Sequence, residues 1–148
     1  MMTIIDLLEK DRAKRPDLFW LVGPIPAEQL HAWLMQHSLG VPDDLKQLWS
    51  QTGGGEMFET ETLLSPFGRA GFGADVMGVN QFHRQKGMPT GLLIIHEGLG
   101  GLTAIDTASD KYVSVQPGSY EVRKTFGSLA DWYANFIRPE YASRYGLS

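Results

Sequence analysis

The chain has 148 residues, 43% hydrophobic and 20% charged, which is the size and balance of one ordinary globular domain able to bury a core without staples. Its lack of cysteine excludes a disulfide scaffold, thiolate metal sites and a cysteine nucleophile, and a net charge of -4 sets the overall field against nucleic acid. The opening MMTIIDLLEKDRAK has neither the basic start nor the long apolar run of a signal peptide, and no stretch approaches the length of a membrane span. A cytoplasmic protein with no membrane or nucleic-acid partner is expected.

Taken in order, Ile4, Ile5, Leu7 and Leu8 form an apolar stripe at helical spacing, with Thr3 and Asp6 placed for a capping box and Arg15-Pro16 as the stop. Phe19 to Val22, closed by Gly23-Pro24, reads as an extended segment at a sheet edge. Pro26 opens a second helix with Leu30, Trp33 and Leu34 on one face and Gly40 beyond it. His31 and His37 lie six apart and do not share the face a helical zinc pair would need. A third helix runs from Pro42 through Leu45, Leu48 and Trp49, with Asp43 and Asp44 complementing the dipole of its first turn. It ends at Thr52-Gly53-Gly54-Gly55. Because these glycines follow a helix and no Gly-Lys-Ser or Gly-Lys-Thr accompanies them, they read as a helix cap and turn rather than a phosphate cradle.

Between Glu56 and Pro66, residues Thr60, Thr62, Leu63 and Leu64 suggest a strand. Here Glu56, Glu59 and Glu61 surround Met57 and Phe58, an acidic and apolar combination suited to docking a basic partner. The glycine-rich stretch from Phe67 to Val79 reads as a surface loop and a second binding candidate, through Phe67, Arg69 and Phe72. Asn80 to Lys86 is expected to be a short helix capped by Asn80 and stopped by Gly87.

The stretch from Gly91 to Val115 organises the rest. Leu92 to Ile95, Leu102 to Ile105 and Tyr112 to Val115 are strand-length apolar pieces separated by Gly98-Leu99-Gly100-Gly101 and Thr107-Ala108-Ser109-Asp110. Connections this short force antiparallel pairing of sequence neighbours. Tyr120, Val122 and Lys124 continue as an edge strand. Ser128 and Asp131 then begin a helix whose Leu129, Trp132, Tyr133, Phe136 and Ile137 should lie on the sheet. Pro139 is expected to stop that helix and leave Glu140 to Ser148 as a loosely held tail. The fold class is therefore α+β, one domain over residues 1–148. It is an antiparallel meander with one wet face and one covered by the N-terminal helices and a C-terminal helix.

No catalytic set stands out. His96-Glu97 ends a strand beside the glycine hairpin, and His83 or Asp106 could join it in a small hydrolase, but adjacent strand residues point to opposite faces. There is no Gly-x-Ser-x-Gly elbow, His-Glu-x-x-His helix or phosphate loop. No metal or cofactor is expected, and Arg12, Lys14 and Arg15 read as a solvated helix end rather than a phosphate track.

The motif order from about residue 40 to 137 resembles the SUKH superfamily. It runs Pro-Asp-Asp-Leu-Lys-Gln-Leu-Trp into Thr-Gly-Gly-Gly, then Thr-Leu-Leu-Ser-Pro, Leu-Leu-Ile-Ile-His-Glu-Gly-Leu-Gly-Gly-Leu-Thr-Ala-Ile-Asp and Phe-Gly-Ser-Leu-Ala-Asp-Trp-Tyr-Ala-Asn-Phe. That group includes fungal cell-wall regulators of the Knr type and bacterial immunity proteins. Thr52 stands where the family usually has an asparagine, and Gly98 to Gly101 replaces a hairpin turn that is often acidic. The resemblance implies helices on a meandering sheet and a role without catalysis: a cytoplasmic immunity protein that binds and neutralises a cognate polymorphic toxin, a basic nuclease being the target that would suit the acidic patch. The alternative it implies is a regulatory scaffold for endogenous proteins. It carries over no contact residues.

Overall fold

A computed structural model describes residues 2–68 and 75–147 of the chain. Helix α1 (Ile4–Lys14) is followed by a single 3-10 turn, Pro16–Leu18, and strand β1 (Phe19–Leu21). Helices α2 (Ala27–Gln36) and α3 (Asp43–Thr52) lead to the short strands β2 (Gly55–Met57) and β3 (Glu61–Leu63). After α4 (Val76–Gln85) come β4 (Leu92–Gly98), β5 (Gly101–Asp106), β6 (Lys111–Val115) and β7 (Val122–Phe126). The seven strands pair antiparallel in the order β1 to β7, so the expected three-stranded meander is the centre of a longer one.

Several local expectations hold for the reasons given. Thr3 and Asp6 close a reciprocal capping box on α1. Gly53 is the left-handed cap of α3 (φ 75°), its N–H donating to the Trp49 carbonyl.

The expected wet face does not materialise at the centre of the sheet. Leu102 to Ile105 and Tyr112 to Val115 are buried at every position, and successive side chains on a strand point to opposite faces, so both faces are covered. On the face carrying His96, Thr103 and Tyr112, α3 is tied down by the Tyr112 hydroxyl donating to Asp44 (2.5 Å), and the C-terminal helix by Trp132 Nε1 donating to Thr103 (3.0 Å). Helix α4 covers the other face. It begins at Val76, capped by Asp75, four residues earlier than expected, so residues 76–79 belong to a helix rather than to the loop.

Asn80 is therefore not a cap. β3 pairs with β4 only through Thr62 and Leu63, and beyond them the Ile94 backbone would face no strand. The buried Asn80 amide fills the gap as a peptide group would: its Oδ1 accepts from Ile94 N–H (2.6 Å), and its Nδ2 donates to the Ile94 carbonyl (2.9 Å) and to Val76 (2.8 Å). Asn80→Leu strands both Ile94 groups and should cost about 2–3 kcal/mol. Urea unfolding with amide exchange at Ile94 checks this: a loss of stability with Ile94 still fully protected contradicts the assignment.

Nor does Pro139 end the last helix. The chain runs as α5 (Leu129–Trp132), a π turn (Tyr133–Ile137) and α6 (Arg138–Tyr145) without a break. Proline lacks an N–H and its ring collides with the carbonyl four residues back; the π turn, in which Arg138 N–H bonds Tyr133 five residues back, resets the ladder just before it. The expected loose tail is thus a packed helix. Tyr141, Ala142 and Leu147 are buried, the Leu147 carbonyl accepts from Arg138 (2.7 Å) and Lys14 (3.3 Å), and Tyr145 accepts from Arg15 (3.2 Å). Buried Asp11 joins α1 to this helix, accepting from the Tyr133 hydroxyl (2.6 Å) and Arg138 Nε (2.8 Å).

The tight turn from β2 to β3 holds Phe58 and Glu59 at φ 54° and 68°, a region that bulky side chains disfavour. For Phe58 the strain is offset by complete burial: its ring stacks on Tyr141 at 4.6 Å and 9° and meets Phe19 edge-on at 5.2 Å. Glu59 is exposed and has no such return. Glu59→Gly should therefore raise stability by about 1 kcal/mol, seen as a higher urea midpoint with an unchanged slope. A lower midpoint would mean that the carboxylate contributes more than the strain costs.

Candidate functional site

The main polar constellation lies where β3, β4, β5 and the C-terminal helix meet. Glu61 comes from β3, His96 from the register-matched end of β4, Thr103 from β5 directly opposite His96, and Trp132 and Tyr141 from the helix above. Strand alternation turns Glu61 and Leu63 to the helix-covered face, and the bulge between Ile94 and His96 turns His96 to the same side.

Trp132 Nε1 can only donate, so Thr103 Oγ1 accepts from it (3.0 Å), and the same hydroxyl bonds His96 Nδ1 (2.9 Å). The opposite ring nitrogen, Nε2, donates to Glu61 Oε1 at 2.8 Å. The other Glu61 oxygen accepts from the Tyr141 hydroxyl (2.7 Å) and the Leu99 N–H (3.3 Å), and Thr60 donates in turn to the Tyr141 oxygen (2.7 Å). Burial opposes ionisation of Glu61 most strongly. The hydrogen bonds from His96 and Tyr141, the charge of His96 and the Leu99 N–H together outweigh it and hold the carboxyl below its ordinary value of 4.5. Burial pushes the Tyr141 phenol up to about 12, against the opposing hydrogen bond from Thr60 and with help from Glu61 beside it. Gly98 makes room for this carboxylate, since a Cβ there would sit 2.0 Å from Glu61 Oε1.

Carboxylate, imidazole and hydroxyl in series is the order of a nucleophilic triad. Thr103 nevertheless has no exposure, and its hydroxyl is held by Trp132 and His96. A hollow of about 220 Å³ between the β4–β5 turn and the C-terminal helix, walled by Gly100, Phe136 and Glu140, reaches only the rim of Glu61 and His96. Their side chains are 4% and 2% exposed, so a substrate carbonyl has no route to the threonine oxygen. The arrangement serves as a clamp joining four elements.

His96 and Glu97 point to opposite faces, as strand geometry requires. Glu97 meets His83 of α4 instead (3.4 Å), and the other nitrogen of His83 bonds the Tyr120 hydroxyl at 2.8 Å. Asp106, the remaining residue of the hydrolase alternative, accepts from the N–H of Ala108 (3.0 Å) in the β5–β6 turn.

The expected contact patch splits. Met57, Phe58 and Glu61 are buried against the helices and offer no surface contact: strand alternation sends Met57 and Glu61 inward, and the tight turn after β2 stacks Phe58 on Tyr141. Glu56 is half-buried on the opposite face, Glu59 is exposed at the turn, and Phe67 is 44% exposed with its ring edge-on to Trp33 of α2 at 6.2 Å. Arg69 and Phe72 lie outside the described residues. Sequence reading missed the Glu61 and His96 partnership because 35 residues separate them. The usable signal was a histidine ending an apolar run long enough to be a central strand.

Among the described residues no group of three or more His, Asp or Glu could hold a metal ion, and no helix is long and apolar enough to cross a membrane. A comparison with curated proteins finds no match. The family model described as SMI1 / KNR4 family (SUKH-1) matches residues 24–135, from the turn after β1 to the π turn of the last helix, and the chain belongs to that family.

Proposed function

We propose that this chain acts without catalysis, binding a toxin domain in the cytoplasm and blocking it by covering its active site. Family membership is the observation that carries the reading. The geometry agrees with it: the titratable groups that converge, Glu61 with His96, His83 with Glu97 and Asp11 with Arg138, spend their hydrogen bonds on one another and on the fold. Unsatisfied chemistry lies outside, in the exposed side chains of Trp20, Phe67, Phe82 and Leu99 and the carboxylate of Glu59. With a net charge of -4, a basic toxin such as a nuclease would be drawn in by the field as well as by contact. Glu56, Glu59 and Phe67 remain the contacts proposed from the original patch. Co-expression with the toxin encoded beside this gene tests the reading: cell survival and co-elution on a sizing column are expected, and unprotected cells with no complex overturn it. A gene with no toxin neighbour points to the regulatory scaffold instead.

A further inference from the structure

The two edges of the sheet are built differently. β7 carries Arg123 and Lys124 and a register shift opposite Ser114 and Val115, the devices by which proteins prevent edge-to-edge pairing. β1 is Phe19-Trp20-Leu21, with no charge, proline or bulge. Phe58 N–H bonds Leu18 and Val22 N–H bonds Gly54, so the even-numbered residues of this strand face β2. The Phe19 carbonyl and both backbone groups of Leu21 therefore point away from the sheet, and no partner for them is found among the described residues. Trp20 is 62% exposed in the middle of this edge, while Trp33, Trp49 and Trp132 are at most 6% exposed. Through successive register pairs Trp20 lies in line with Glu56, Thr62 and Glu97 on one face, so two carboxylates follow the indole inward from the edge. Arg15, in the segment leading into β1, is engaged by Asp17 (2.9 Å).

We propose that this edge receives an extended, cationic segment of a partner protein, which pairs with β1 as an eighth strand. Its backbone satisfies Phe19 and Leu21. A lysine or arginine placed opposite Trp20 lies over the indole and turns its charge towards Glu56, combining strand addition with a cation–π contact. Pro16 and Pro24 bracket the site, so the recognised segment is short and its side-chain pattern alternates. The proposal rests on the protein-binding reading above and adds the place and the chemistry of recognition.

The test needs no toxin. A blocked seven-residue peptide alternating arginine with valine or threonine is titrated against the full chain, following Trp20 emission and the Leu21 amide resonance. Saturable binding is expected, at least tenfold weaker for Trp20→Lys, for Glu56→Lys and for the same peptide N-methylated at alternate residues. Equal binding of the N-methylated peptide would show attraction by charge alone and overturn strand addition, as would no binding or binding indifferent to both substitutions. Concentration-dependent dimerisation abolished by Trp20→Lys would show a second copy as the occupant and also overturn it. Loss of toxin protection with peptide binding intact would remove the immunity reading alone; the converse would remove only this surface.

Discussion

Gly55→Ala is expected to lower stability by about 3–4 kcal/mol, a large part of the roughly 5–15 kcal/mol that holds an ordinary domain together. Gly53, Gly54 and Gly55 have φ of 75°, 82° and 139°, and the last value is one that only glycine adopts readily. A Cβ on Gly55 would lie 2.3 Å from the Trp20 carbonyl oxygen and 2.8 Å from the Leu21 Cα, both held in the β1–β2 ladder. The conformational cost alone is about 1–3 kcal/mol, and relieving the collision requires β1 to part from β2. For a chain of this length the melting temperature should fall by roughly 6–16 °C. Gly87→Ala isolates the first effect, since Gly87 also has positive φ (102°) but nothing within 4 Å of its Cβ position. A loss of about 1 kcal/mol is expected there. Equal losses at both sites would mean that the close approach to β1 is absent. The same contacts bear on function: Trp20 and Gly23 backbone atoms occupy the space beside Gly55 and Gly53, leaving no cradle in which a phosphate could rest.

What could be read in advance follows the range of the forces involved. The capping box at Thr3, the glycine cap of α3 and the meander from Leu92 to Val115 are set by interactions spanning a few residues, and each appeared where periodicity and turn chemistry placed it. Errors arose where a distant partner overrode a local signal. Pro139 is a helix breaker by its own chemistry, yet Lys14, Arg15 and Phe58 gave the residues after it enough to pack against, and a π turn absorbed the conflict. Asn80 has the chemistry of a cap, but the break in β3 pairing gave its amide a better use. The acidic patch failed at Glu61 for the same reason. A glutamate in a three-residue strand carries no mark of facing inward until its histidine is known.

That buried glutamate sets the second large expectation: Glu61→Gln should cost about 3 kcal/mol near neutral pH and progressively less in acid. The carboxylate receives bonds from His96, Tyr141 and the Leu99 N–H. An amide presents one acceptor oxygen and turns its NH2 towards donors, weakening charge-assisted bonds worth about 1.5–3 kcal/mol each. The pH dependence follows from the depressed acidity. Glu61 titrates below 4.5 in the folded chain and near 4.5 when unfolded, so its stabilisation is fully present above 4.5 and is lost as pH falls through the lower, folded value. The variant has no such charge to lose. The stability difference between the two proteins should therefore be greatest near neutrality and should narrow below pH 4.5, and contributions from carboxylates common to both cancel in the subtraction. Tyr141→Phe removes one of the bonds that lower the carboxyl, so in that background the narrowing should be smaller and should be complete at a higher pH. Urea midpoints measured from neutral pH to about pH 3 decide the matter. A difference that stays constant into acid would mean that folding leaves the acidity of Glu61 unchanged, and one that widens as pH falls towards 4.5 would mean that Glu61 is protonated in the native state; His96 would then bond a neutral acid, and the joint between the sheet and the C-terminal helix would not be ionic.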